Sequence, residues 1–399
     1  MIIVISVILF FLLFFFSNER NKKTVSIVSI VIFSIILLAT NGRFTWNDYP
    51  NYIDLYLGKG SNYGNLDVKN GYDLEKPYAY FCYIVRMILP RTAYSYILCY
   101  SLMWIIPMWI LMKRGSNNVP LSFFLICTVI NCSQLLFIIT AQRQMIANVS
   151  IMWAFYVFQF TNYKKKKKII LIAALLLLAI LSHSSSYFVV PILIFAYFIK
   201  MPGKKVLITL MALCFFAGPY IQNYLRPLFY GLMSAVGSGD EVTRSTGYFI
   251  NDIYEANNAS IYASLLPLTA VGIALVSFYT KNELQKFGVK LVIISVIAFN
   301  LFNSVPLLNR ALMVFFILGA ILGIPAAIGK LNKLKIVFSV VGLLLIATTI
   351  NGYIKGGERN ALFPYPYIWE DPSPFELYSY QSVPNIDNGI SFQDAQELS

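Results

Sequence analysis

The sequence predicts an all-α polytopic membrane protein with about twelve transmembrane helices, and three observations carry that prediction. Of 399 residues, 58% are hydrophobic and only 12% charged, where a soluble domain is roughly half apolar and a quarter charged. Apolar runs recur along the chain near the length of about 20 residues that a helix needs to cross a bilayer. Lysine clusters mark alternate connections between those runs.

Taken in order, the runs are Ile2–Phe16, Thr24–Thr40, Thr92–Met112, Val119–Thr140, Met145–Phe160, Ile169–Leu181, Tyr187–Ile199, Val206–Tyr220, Ser260–Thr280, Val289–Pro306, Ala311–Ile328 and Ile336–Ile350. The first is short. It has no basic stretch before it and no small-residue cleavage site after it, so a retained helix is expected, not a signal peptide. Ile169–Leu181 and Tyr187–Ile199 are separated only by Ser182-His183-Ser184-Ser185-Ser186 and read as a helical hairpin.

Charge sets the expected orientation. One alternate set of connections holds Arg20, Lys22 and Lys23; Lys113 and Arg114; Lys164 to Lys168; Lys200, Lys204 and Lys205; Lys281, Lys286 and Lys290; and Lys330, Lys333 and Lys335, against only Glu19 and Glu283. Cytoplasmic loops collect such residues, which puts both termini outside. The net charge of +13 is then a topology signal and calls for no nucleic acid. The chain divides into a polytopic part, residues 1–352, with outer segments at 41–91 and 223–259, and an acidic tail, 353–399, rich in proline and aromatic residues. Within the first outer segment, Pro77–Pro90 is apolar, too short to span and carries Arg86, as an interfacial or re-entrant helix would. The five cysteines (Cys82, Cys99, Cys127, Cys132, Cys214) form no CxxC pair and read as buried free thiols.

Charges near a membrane are costly, so those outside the cytoplasmic clusters are informative. Arg143 and Arg310 each lie between two apolar runs on the outer side; Arg43 opens the first outer segment and Arg244 lies in the second. His183, the only histidine, sits in the outer hairpin turn. A guanidinium binds phosphate oxygens bidentately and stays charged at any accessible pH. Arginines kept outside, against the bias that places basic residues inside, therefore point to an anionic ligand; pairing with headgroup phosphates is the plainer alternative. Asp48 lies among Trp46, Tyr49, Pro50, Asn51 and Tyr52. It is a turn-former or, among aromatics that suit sugar faces, a general base.

Other chemistries lack their residues. The chain contains no G-x-x-x-x-G-K-[ST] or HExxH sequence. One histidine with apolar-set cysteines makes no usual zinc site, and no D-x-D pair marks metal-dependent glycosyl transfer. No metal or cofactor is expected. The serines beside His183 are read as turn residues rather than nucleophiles.

These residues resemble the EpsG-like and Wzy-type bacterial polysaccharide polymerases. The shared features are a short first helix, a basic turn, a second helix and an outer Gly/Arg–Asp–Tyr–x–x–Tyr theme. Asn41-Gly42-Arg43 followed by Asp48-Tyr49-Pro50-Asn51-Tyr52 matches that theme, with Trp46-Asn47 replacing the usual glycine before the aspartate. Glu75-Lys76-Pro77-Tyr78 matches a Glu-Pro-aromatic stretch with one extra residue. Arg143 with Gln144, His183-Ser184-Ser185, and Arg310 ahead of Phe315 and Phe316 match three later motifs.

The resemblance implies a GT-C-like membrane glycosyltransferase, an O-antigen-type polymerase of the bacterial inner membrane working on its periplasmic side. Its substrates would be oligosaccharide repeat units on polyprenyl pyrophosphate, both donor and acceptor, with membrane lipids around it and a chain-length regulator protein as a candidate partner. Arg143 and Arg310 would clamp the pyrophosphate. Arg43, Arg244, Tyr49 and Tyr52 would bind pyrophosphate or glycan, and Asp48 or His183 would be the base. Three alternatives stay open: a twelve-helix transporter such as a flippase for the same lipid-linked units; a ligase of finished glycan; and a non-enzymatic scaffold. The transporter lacks a mid-span acid, and the Asp-Tyr-x-x-Tyr theme favours polymerase over ligase.

Overall fold

The computed structural model describes residues 2–18, 20–41, 56, 76–90, 92–116, 119–129, 142–183, 186–236, 266, 268–273, 275–276, 283–302 and 306–322. All regular structure among them is helical. The elements are α1 (Ile2–Phe16), α2 (Lys22–Asn41), α3 (Lys76–Ile88), α4 (Ala93–Gly115), α5 (Val119–Val129), α6 (Gln142–Phe160), α7 (Lys165–Ser182), α8 (Ser186–Phe198), α9 (Lys204–Val236), α10 (Glu283–Phe302) and α11 (Pro306–Leu322). Residues 268–273 are also helical. The expected run Ile336–Ile350 and the tail 353–399 lie outside the described residues.

Local chemistry sets the helix ends. Between α1 and α2 the backbone N–H of Asn18 donates to Asn21 Oδ1 at 2.8 Å and that of Asn21 to Asn18 Oδ1 at 3.1 Å. This closes the basic turn without help from the rest of the chain. Thr92 caps α4, its Oγ1 accepting from the Ser95 N–H at 3.2 Å. Pro306 opens α11, where a missing N–H costs nothing. At the far end of α8, Lys290 Nζ donates to the carbonyls of Ala196 and Ile199 at 2.7 and 2.6 Å, satisfying acceptors that a helix C-terminus leaves over.

The bundle is organised around α11. It packs against α4, α5, α6, α8 and α10, and its residues 314–322 are all buried. Gly319 lets α10 approach, because a Cβ there would meet the Gly288 carbonyl at 2.7 Å and the Val292 side chain. Gly272 likewise sits against Met211 and Val296, and Gly218 against the Asn300 carbonyl. Small residues at helix crossings are the usual device where lipid supplies no hydrophobic drive to association. Phenylalanines seam α1, α2 and α5 together: Phe10 and Phe33 stack on Phe123 at 5.2 and 4.3 Å between centroids.

Large apolar side chains also cover the outside. Ile169, Ile170, Leu177 and Leu181 on α7, Phe195 and Phe198 on α8, and Leu213, Phe216 and Tyr220 on α9 are all exposed. Rows of that extent belong against lipid or a partner. By length and composition one described helix, over Ser95–Gly115, is apolar and long enough to cross a membrane.

Two expectations need revising. The second outer segment was expected to begin at Asn223, but α9 continues unbroken to Val236. Its 33 residues extend about 50 Å at 1.5 Å per residue, against roughly 30 Å of hydrocarbon. Apolar runs mark what lipid must cover, and a helix can outlast them. The Pro77–Pro90 stretch is helical as expected, yet it docks on the bundle. Its α3 buries Tyr78, Ala79, Cys82 and Val85 against neighbours that include α4 and α7, leaving Tyr80, Tyr83, Ile84 and Met87 exposed. Both faces are apolar, so it rests on protein with one and presents the other outward. Of the cysteines described, Cys82 and Cys214 are buried free thiols and Cys99 is half-buried and free.

Candidate functional site: the helix ends opposite the lysines

Three helices share a direction. A Cβ on Gly115, the last residue of α4, would meet Leu322 Cδ2 at 2.7 Å and Phe160 Cζ at 3.4 Å, so the C-termini of α4, α11 and α6 converge. The lysine-rich turns are at this end: Lys113 and Arg114 close α4, and Lys165 to Lys168 open α7. The N-termini of α4, α6 and α11 therefore point towards the opposite end. The connection 161–164 turns α7 back along α6, which brings His183 to that same end.

Three of the predicted residues belong to helix ends that point this way. Arg143 is the second residue of α6, Arg310 the fifth of α11 and His183 the residue that ends α7. His183 is half-buried and extended, and its carbonyl accepts the Ser186 N–H at 3.0 Å to start α8. Ser182 donates its hydroxyl to the Leu178 carbonyl at 2.6 Å, a bond within the last turn of α7; Ser184 and Ser185 lie outside the described residues. Arg43, Asp48, Tyr49, Tyr52 and Arg244 lie outside the described residues. Helix N-termini carry partial positive charge and free N–H groups. A helix N-terminus with an arginine in its first turns favours an anion. Among the described residues no group of three His, Cys, Asp or Glu side chains gathers.

Beside this end is a polar and aromatic cluster that the sequence reading did not identify. Tyr56, Tyr78, Tyr96 and Tyr100 are all buried. The Tyr78 and Tyr96 hydroxyls are 2.8 Å apart and hydrogen-bonded. The Tyr56 ring lies 5.1 Å from that of Tyr96, which stacks on Tyr100 at 6.1 Å. Arg86 ties the cluster down: its Nε donates to the Tyr56 carbonyl and its guanidinium sits 5.5 Å from the centre of the Tyr56 ring. Tyr56 Oη donates to the Pro90 carbonyl at 3.3 Å. Burial raises the Cys82 thiol to about 12, although Tyr78 and Arg86 oppose the shift. Tyr78 also rises well above its ordinary value, mainly through burial. The available signals were spacings: Tyr96 and Tyr100 are four apart, as are Tyr52 and Tyr56.

Gln144, next to Arg143, is 3% exposed, and its Nε2 has no hydrogen-bond acceptor. One turn further along α6, Asn148 is buried too.

A family model described as the EpsG family matches residues 25–367. No curated protein and no solved structure matches the chain.

Proposed function

The chain belongs to the EpsG family, and from that premise we propose that it is a membrane polysaccharide polymerase joining polyprenyl-pyrophosphate-linked repeat units into O-antigen or a related surface glycan. The observation that supports the reading is the shared direction of α6 and α11, whose first turns carry Arg143 and Arg310.

In the reaction, a hydroxyl at the non-reducing end of one unit attacks the anomeric carbon of the donor glycan. The bond from that carbon to the pyrophosphate oxygen breaks as the new glycosidic bond forms. Polyprenyl pyrophosphate leaves with the electron pair, and the hydroxyl proton passes to a base, Asp48 or His183. Arg143 and Arg310 stabilise the charge growing on the leaving pyrophosphate, where fixed positive groups in a dry site act most strongly. Arg43 and Arg244 add charge from the outer segments, and Tyr49 and Tyr52 offer faces to the sugars.

The fuller architecture belongs to this proposal. It comprises about twelve helices in a GT-C-like bundle over residues 1–352, an outer segment at 41–91, a second outer segment up to residue 259 that begins with the C-terminal turns of α9, and a tail at 353–399. Both termini and the site face the periplasm from the inner membrane. A chain-length regulator is the expected protein partner.

The test is a gel of surface glycolipid from a host lacking this gene, with and without the gene restored. Loss of the ladder to a single-repeat band, reversed on restoration, supports polymerisation. Bare core without repeat assigns flipping or ligation instead, and an unchanged ladder ends the glycan reading.

A further inference from the structure

We propose that Gln144 is a substrate-holding residue, its side-chain amide donating to a phosphate oxygen of the pyrophosphate-linked donor at the start of α6. The inference rests on the polymerase reading above and deepens it.

Several other polar side chains buried in this bundle have partners. Ser150 Oγ donates to the Ile146 carbonyl at 2.7 Å, and Ser295 Oγ to the Leu291 carbonyl at 3.0 Å. Ser122 Oγ reaches across to the Ala320 carbonyl at 3.1 Å. Asn300 Nδ2 donates to Thr269 Oγ1 at 3.0 Å, deep between helices. Gln144 breaks this pattern. Among the described residues, its Nε2 and the Trp104 indole N–H are the buried side-chain nitrogens left without an acceptor. Trp104 is the twelfth residue of α4, half-way along that helix; Gln144 is the third residue of α6.

A buried amide donor without an acceptor costs about 1–3 kcal/mol, so its presence needs a reason. Position supplies one. Helical side chains lean towards the N-terminus, so Gln144 reaches back over the first turn of α6. The backbone N–H groups there have no intrahelical partner. No acidic side chain occupies that turn. The result is a set of donors, some of them dry, with Arg143 alongside. Such a set asks for an acceptor with several negative oxygens. Lipid-linked pyrophosphate and a phospholipid headgroup share that chemistry; Arg310, in the first turns of α11 towards the same end of the bundle, favours the more highly charged pyrophosphate.

The experiment uses the full-length protein in detergent and the gene-deleted host. Gln144→Met keeps the volume and removes the orphan donor. The unliganded variant should unfold at a higher temperature than the natural protein, because an unmet polar group has gone. Its affinity for farnesyl pyrophosphate should fall by on the order of tenfold or more, as expected for a hydrogen bond to a charged group, and its glycan ladder should shorten. A merely structural glutamine would not separate stability from binding in this way. Gln144→Glu is the second variant, placing negative charge where the phosphate sits; it should bind farnesyl pyrophosphate more weakly still.

Unchanged farnesyl pyrophosphate affinity in both variants overturns the inference. So does a normal ladder from Gln144→Met in a host whose deletion abolishes the ladder. If phosphatidylglycerol vesicles show the same Gln144 dependence as farnesyl pyrophosphate, the site belongs to a headgroup and the substrate assignment falls. A deletion host with a full ladder fails the polymerase reading itself, whatever Gln144 does.

Discussion

The cluster around Tyr96 and the start of α6 lie at the same end of the bundle and treat their buried polar groups in opposite ways. In the first, the Tyr78 and Tyr96 hydroxyls bond each other, Arg86 bonds the Tyr56 carbonyl and Tyr56 Oη bonds that of Pro90. In the second, Gln144 Nε2 is buried with no acceptor and two arginine-bearing helices begin. The first is closed and holds α3 in place. The second leaves a buried donor unmet at a cost in stability, and on the proposal above that donor is kept for a ligand.

The comparison predicts opposite responses to mutation. The largest effect should come from Arg143→Ala combined with Arg310→Ala. Polymer yield should fall at least about a hundredfold, as for loss of a transition-state donor, while detergent-solubilised protein still elutes as a sharp peak. A full ladder from that variant would remove the anion clamp. Arg86→Leu should do the reverse. It strands the Tyr56 carbonyl at about 1–3 kcal/mol, lowering the unfolding temperature by several degrees, and affects polymer length only through the amount of folded protein. Tyr78→Phe removes one side of a buried hydroxyl pair and should cost about 1 kcal/mol. A neutral result would mean that the Tyr96 hydroxyl finds another hydrogen-bond partner.

The smallest effect is one of pH. Folding raises Cys82 from its ordinary 9.0 to about 12, and Tyr78 shifts in the same direction, so the folded chain holds these protons more tightly than the unfolded one. The stability they contribute is whole below about pH 9 and is lost as pH rises towards 12. Unfolding temperatures taken between pH 8 and 11 should fall, and Cys82→Ala should flatten part of that fall. An identical slope in the variant would place the titration elsewhere.

Much of the bundle was legible because lipid imposes a simple rule. Apolar length and lysine placement located α1, α2, α4, α6, α7 and α8 to within four residues, whereas α10 and α11 begin six and five residues before the runs expected for them. The docking of α3 was not legible, since a helix apolar on both faces does not say which one meets protein. Nor was the length of α9, because a helix can run on after the need for lipid cover ends. At the site, Arg143, Arg310 and His183 stood out as charge or a lone histidine against an apolar background, and connectivity brings them to one end. Gln144 carries no charge; sequence alone cannot tell a buried amide from a solvated one, and only the missing acceptor marks it. Asp48, Arg43, Tyr49, Tyr52 and Arg244 keep their sequence-based roles as proposals.

The most direct test of polymerisation is reconstitution. The purified protein in liposomes is given a synthetic polyprenyl-pyrophosphate-linked repeat unit, and the lipids are extracted and weighed by mass spectrometry. The account predicts carriers bearing two and more repeats, with one polyprenyl pyrophosphate released for each new glycosidic bond and neither product formed by the Arg143→Ala, Arg310→Ala variant. Movement of the intact unit to the other leaflet, with no dimer and no released carrier, would contradict it.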